Sequence, residues 1–285
     1  MYESLLRLHI LPALGDRAMS ALSPTVVRQW HSRLTAATRP GPVTVAKCYR
    51  LLRTILSTAV EDELIVKSPC VIKGAGVEHS PERPVATIAQ VEQIAEAVEP
   101  CFRMLILMAT FTGLRFGELA ALTRRRIDLD AGLVSVTVSQ TELNDGTRII
   151  GEPKTAAGRR LVAIPRVLIE DLHEHLDRFA EPGADGLVFV GPKGGPLRRG
   201  NWSARWTKTV GRLGLDGLHF HDLRHTGNTL AASTGASTRE LMTRMGHSSA
   251  RAALIYQHAS PERELAIGRA LSDMIEASRV VAGER

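Results

Sequence analysis

Mainly α with a small antiparallel β-sheet is the fold class the sequence predicts, and three observations predict it. Apolar residues recur at helical spacing through most of residues 2–64 and again over 88–122. Strand-like alternation is confined to a central stretch, 133–164, where two short runs read as a hairpin. Residues 73–84 mix glycine, proline and both signs of charge, the composition of an exposed linker. At 285 residues the chain exceeds the usual single-domain size, so unequal halves are expected: residues 1–73, a linker over 74–85, and residues 86–285.

The elements follow in order. Tyr2 to Leu11 reads as a helix, and Ser23, a good N-cap, starts a second that runs to Leu34. A third, Val43 to about Leu64, puts Val45, Cys48, Leu52, Ile55, Leu56, Ala59 and Val60 on one face. Lys47, Arg50 and Arg53 lie off that stripe, a basic face that is ordinarily just solvated but would track phosphates on a DNA-binding domain. Helices are expected over Ile88–Val98, Cys101–Thr112 and Arg115–Leu122. Leu133–Ser139 alternates like a strand, Arg148–Gly151 and Arg160–Ile164 read as a hairpin with Lys154 near its turn, and Pro165–Phe179 returns to helix. Trp202 and Trp206 are an i,i+4 pair of core character.

The chemistry is concentrated in the last third. His221 and Arg224, three apart at the start of a helix reaching about Ala232, share a face. A guanidinium can hold two phosphate oxygens while an imidazole moves a proton near neutral pH. Met245-Gly246-His247-Ser248-Ser249 reads as a helix ending at glycine and a new one capped by serine. That new helix, roughly Ala250 to His258, carries Tyr256. Singly, each residue has a plain structural explanation: a surface arginine, a solvated turn charge, a core tyrosine.

Together the residues resemble the tyrosine recombinase (phage integrase) family. His221-x-x-Arg224, then Gly246-His247, then Tyr256 match its closing motifs, and Thr112 to Leu119 is similar to its first arginine box. Pro153-Lys154-Thr155 looks like its lysine hairpin, and the resemblance covers nearly the whole chain. It implies a helical core-binding (SAM-like) domain followed by a tyrosine-recombinase catalytic domain, with Arg115, Lys154, His221, Arg224, His247 and Tyr256 as the catalytic set. Fixed cations at Arg115 and Arg224 would stabilise charge on the phosphate in the transition state. A phenol of pKa about 10 needs a proton acceptor, here His221. The likeness gives Lys154 the protonation of the departing 5′ oxygen and His247 a hydrogen bond to the phosphate. Glu118, three residues after Arg115, would orient that arginine or His221. His225 is assigned a structural role, and Lys154's neighbours Arg159 and Arg160 read as solvated turn charges.

The implied partners are double-stranded DNA, three further copies in a homotetramer, and an accessory directionality factor in some systems. The tail from Pro261 to Arg285 is a candidate helix docking on a neighbour, and no cofactor or metal is implied. The relatives normally place a helix before the segment matching Tyr2–Gly15, and many add an arm-binding domain, so the N-terminal region is expected to be truncated. Gly227 stands where many relatives have an aromatic residue, which bears on local packing.

Composition agrees: 36 Lys+Arg against 30 Asp+Glu leave a net +6, which suits a polyanionic partner as it suits many other proteins. Cys48, Cys70 and Cys101 lie far apart and read as free thiols in a reducing compartment. Neither a signal peptide nor a bilayer-length apolar run is seen, so a cytoplasmic protein is expected. Beside recombination stand a catalytically silent DNA-binding protein using the same fold and two readings with other chemistry. One is type IB-like topoisomerase chemistry without strand exchange. The other is a zinc metallohydrolase built on His221 and His225, four apart, which lacks an evident third ligand; His173 and His175, two apart, diverge on a helix.

Overall fold

A computed structural model describes residues 2–78, 83–143, 145–153 and 155–246. Lys154, His247, Tyr256, the helix expected over 250–258 and the tail 261–285 therefore lie outside the described residues. The chain divides into two compact units, Met1–Glu82 and Arg83–Arg285.

The first unit is helical. α1 (Tyr2–Leu5), a π-helical turn (Leu6–Ile10) and α2 (Leu11–Leu14) form one irregular run, longer than the sequence suggested. α3 (Pro24–Ala36) starts at the expected cap, where Ser23 Oγ accepts from the Val26 N–H at 3.3 Å. α4 (Pro42–Glu61) buries Cys48, Tyr49, Leu52 and Leu56 in one cluster with Trp30 of α3, whose indole N–H donates to His9 O at 2.9 Å. The stretch after α4 folds back on this core: Tyr49 Oη accepts from the Ile72 N–H at 2.8 Å, and Glu78 pairs with Lys47 and Arg50. That pairing occupies two of the three basic side chains off the α4 stripe, leaving Arg53 exposed.

The second unit opens with α5 (Ile88–Ala97), started by a Thr87–Gln90 capping box, and α6 (Pro100–Phe111). α6 is buried on every side from Met104 to Thr110, the mark of a central helix. A short α7 (Phe116–Ala120) leads to β1 (Ile127–Asp128), β2 (Leu133–Val136), β3 (Ser139–Glu142), β4 (Arg148–Gly151) and β5 (Arg160–Ala163). α8 (Ile169–Phe179), α9 (Arg199–Arg212), α10 (Phe220–Ser233) and α11 (Thr238–Met245) complete the described chain.

The strand expectations are corrected in two ways. Leu133–Ser139 is not one strand, because the chain changes sheets after Val136, placing β2 in a β1-β2-β5 sheet and β3 in a β3-β4 ribbon. Nor do 148–151 and 160–164 pair with each other. β4 pairs with β3 and β5 with β2, all antiparallel. The turn after β3 explains the first pairing: Asp145 Oδ1 accepts from the Thr147 N–H at 2.8 Å and Gly146 takes φ +82°, the Asp-Gly signal of a tight hairpin. The stretch between β4 and β5 thus passes from one sheet to the other.

Trp202 and Trp206 are buried as expected, and Trp206 donates to Leu218 O at 2.7 Å. Gly227 has a definite packing reason. A Cβ there would lie 1.7 Å from Thr110 O, so α10 approaches the central helix closely enough that only glycine fits.

Candidate active site

Arg115 sits at the N-terminus of α7, where the first side chain able to answer its orphan amides is Glu118. Glu118 Oε2 accepts from the Arg115 N–H at 2.8 Å, and Oε1 accepts from Arg115 Nη1 at 2.9 Å. The carboxylate is 2 % exposed and the guanidinium side 39 %, so one partner is fixed inside while the other faces out. Glu118 is therefore bonded to Arg115, and its other bonded partner is an arginine rather than His221.

That arginine is Arg160, which the sequence suggested was a solvated turn charge. It is buried instead. The inward positions of β5 are Arg160 and Val162, and from there Arg160 reaches both Glu118 oxygens, at 3.1 Å to Oε1 and 2.9 Å to Oε2. Its Nε donates to Arg244 O at 2.8 Å and its Nη1 to Gly158 O at 3.1 Å. Burial alone would raise the Glu118 pKa, but the hydrogen bonds and charge of Arg160, then Arg115, hold it below the ordinary carboxylate value. A buried pair of this kind costs about 3–5 kcal/mol to break by removing one partner.

Arg224, on the second turn of α10, is 3 % exposed. Its guanidinium donates to Gly113 O and to Met245 O. Arg115 Nη2 reaches the next carbonyl, Gly246 O, at 3.4 Å. Both predicted arginines are thus tied to the turn that ends α11, immediately before His247 in sequence. That turn demands glycine: Gly246 takes φ +62°, and a Cβ there would meet Ala157 O at 2.8 Å and Arg160 Nη1 at 3.2 Å.

His221 and Arg115 line one cleft of 680 Å³, together with Arg83, His219 and Phe116. His219 and Asp222 cap α10 reciprocally; Asp222 is fully buried, accepts from the His219 N–H at 2.7 Å and pairs with Arg83 at 2.9 Å. The His221 pKa is pushed down to about 4, first by burial and then by Arg224, His225 and Arg83, against a smaller upward pull from Asp222. His221 is nonetheless exposed to solvent at its surface, so the burial contribution is discounted and the weight of the downward shift rests on the cations, which act in the same direction. The imidazole is therefore neutral at pH 7. His225 is half-buried with its ring edge-on to His221, centroids 5.9 Å apart.

One outcome follows for the protein without DNA. In a ring-resonance NMR titration His221 is expected to protonate near pH 4, well below the ordinary 6.5. Because the folded state binds this proton less readily than the unfolded one, stability linked to His221 is whole above pH 6.5 and falls as pH drops toward 4. A midpoint at or above 6.5 would contradict the cationic surround.

Sequence reasoning missed Arg160, Asp222 and Arg83. Two of them left signals: an arginine at an inward strand position, and an Asp three residues after an N-cap position. Arg83 left none. The zinc alternative gains nothing, since no group of three His, Cys, Asp or Glu side chains among the described residues could hold a metal. His175 is a core histidine bonded to Val188 O at 2.9 Å, while His173 meets Asp177. No helix among the described residues is long and apolar enough to cross a membrane.

The mainly helical second unit, with its small antiparallel sheets, has the fold of tyrosine recombinase catalytic domains. The chain belongs to the phage integrase family, which it matches over residues 85–263. It is 37 % identical over 279 residues to the prophage phiRv2 integrase of Mycobacterium tuberculosis, covering 96 % of this chain and 73 % of that protein. With the integrase of Mycobacterium phage D29 it shares 32 % identity over 280 residues, again 96 % of this chain and 73 % of the relative. In fold it is similar to the Tn1549 transposon integrase solved in complex with a circular intermediate DNA. That likeness has a TM-score of 0.78 at 23 % identity and covers 94 % of this chain and 92 % of the other. A lambda integrase dimer bound to a COC′ core site is also similar, with a TM-score of 0.67 at 18 % identity over 90 % and 70 % of the two chains. The chain is accordingly a site-specific recombinase, a DNA strand-exchange enzyme.

Proposed function

We propose that Tyr256 attacks a DNA phosphate within the cluster built by Arg115, Arg224 and His221. The phenolic oxygen forms a bond to phosphorus, the bond from phosphorus to the 5′ oxygen breaks, and a 3′-phosphotyrosyl link and a 5′ hydroxyl result. The phenol proton passes to His221, whose neutral state at pH 7 suits an acceptor. Lys154 supplies the proton taken up by the departing 5′ oxygen. Arg115, Arg224 and His247 face the phosphate oxygens, where negative charge grows most in the transition state. Because the bond energy is kept in the covalent link, the 5′ hydroxyl of a partner strand can reverse the step and complete exchange.

The observation that carries this reading is the convergence of Arg115 and Arg224 on the consecutive carbonyls of Gly246 and Met245, beside the cleft that holds His221. The relatives solved on DNA support duplex DNA as the partner. In the first unit Lys47, Arg50 and Arg53 are the residues proposed to track its phosphates, the first two by exchanging Glu78 for phosphate. On that reading residues 1–73 form the core-binding domain and 86–285 the catalytic domain, with four copies acting in pairs on two cytoplasmic duplexes and a directionality factor as a further partner.

The test is a nicked suicide substrate taken from the junctions flanking the gene, incubated with the protein in a chelator. A covalent protein–DNA adduct through the 3′ phosphate is expected. Cleavage that needs a divalent metal, or leaves no adduct, overturns the proposal.

A further inference from the structure

Arg160 is a buried cation to which the cleavage scheme gives no task. Its side chain is 2 % exposed, and its bonds reach three places: Glu118 at the start of α7, Gly158 in the connection that contains Lys154, and Arg244 in the last turn of α11. Stability alone is a poor reason for an arginine here, because burying two charges is costly and an apolar pair of similar volume holds a core as well. What the pair supplies is geometry. Each Glu118 oxygen accepts once from Arg115 and once from Arg160: Oε1 at 2.9 and 3.1 Å, Oε2 at 2.8 and 2.9 Å. Arg160 holds the carboxylate from the inside, and the carboxylate fixes the orientation of Arg115 on the outside.

We infer that Arg160 is a positioning residue for strand cleavage, acting through Glu118 to hold the Arg115 guanidinium in the plane that meets the scissile phosphate. The inference rests on the role proposed for Arg115. Without Arg160 the carboxylate loses its inner anchor and has only Arg115 to bond, so the Arg115 guanidinium is no longer held in that plane. Arg160 touches no reacting atom in this account.

The test compares wild type with Arg160→Lys and Arg160→Met on two nicked substrates. One carries an ordinary scissile phosphodiester. In the other a methyl group replaces one non-bridging oxygen, removing the charge that a positioned arginine neutralises. DNA affinity is read by fluorescence anisotropy and cleavage by the single-turnover rate of adduct formation. Arg160→Lys is expected to bind DNA within about threefold of wild type and to cleave the phosphodiester about 100-fold more slowly, the cost of a misplaced group. On the uncharged substrate its deficit should shrink to less than about tenfold, since the need for a precisely aimed cation has gone. Glu118→Gln, which keeps the side-chain shape, should show the same substrate dependence and serves if neither Arg160 variant folds. Cleavage by Arg160→Lys within threefold of wild type, or an equal deficit on both substrates from these variants, overturns the inference. No adduct from wild type on the phosphodiester overturns the cleavage reading itself, and this inference with it.

Discussion

Tyr256→Phe is expected to abolish covalent attachment to DNA while changing affinity for the same duplex by less than about twofold. The substitution keeps the ring and removes one oxygen, the atom proposed to form the bond to phosphorus. No other group in the cluster replaces it: His221 is neutral and set to accept a proton, and the arginines are cations. Water could act in its place only by hydrolysing the strand, which leaves no adduct. The chain has three tyrosines, Tyr2, Tyr49 and Tyr256. Tyr49 is 1 % exposed in the core of the first unit, its oxygen takes the Ile72 N–H, and burial pushes its pKa up, all opposed to nucleophilic attack. Tyr2 lies on the first helical turn of the first unit with 64 % of its surface in solvent. Denaturing gels of suicide-substrate reactions, beside mobility shifts under native conditions, separate the two quantities. Adduct from Tyr256→Phe at the wild-type level would remove Tyr256 as nucleophile.

What could be read in the sequence depended on how local the causes were. Ser23 and Gly246 act within one helical turn, so a cap and a stop were legible there. The strand pairing was not, because 148–151 and 160–163 are near neighbours in sequence yet belong to different sheets. The Asp145-Gly146 turn signal pointed to the true partner of β4 and outweighed proximity to β5. In the site, Arg115 and Arg224 were legible through their motifs, whereas Arg160 was hidden among the charges around Lys154. Only the alternation of β5 distinguishes it: Arg159 and Leu161 face out, Arg160 and Val162 face in. The link between Arg83 and Asp222 spans 139 positions, and a long-range contact between ordinary residue types leaves no local trace. Gly227, a departure from the family pattern at the level of motif, is explained by a single distance to Thr110 O.

Arg224→Lys is expected to slow adduct formation about 1000-fold at saturating DNA, the upper range for losing one transition-state donor. Charge is conserved in this substitution, so the argument concerns shape. The Arg224 guanidinium spans Gly113 O and Met245 O, joining the turn before α7 to the end of α11. A lysine presents one compact ammonium, which can stay near one carbonyl but cannot bridge two and still offer a planar fork to a phosphate. Losing one charge-assisted bond at a buried site costs about 2 kcal/mol, so thermal melting should fall by about 5 °C. DNA affinity should change little, because a side chain 3 % exposed contributes little to the general attraction of the surface for phosphate. Arg115, whose side chain is 39 % exposed, differs on that last point, and Arg115→Lys should weaken both binding and rate. The contrast makes the assignment testable in one experiment. If Arg224→Lys reduces affinity as much as it reduces rate, or cleaves within about tenfold of wild type at saturation, the buried arginine is a brace for the α11 turn and not a group that meets the phosphate.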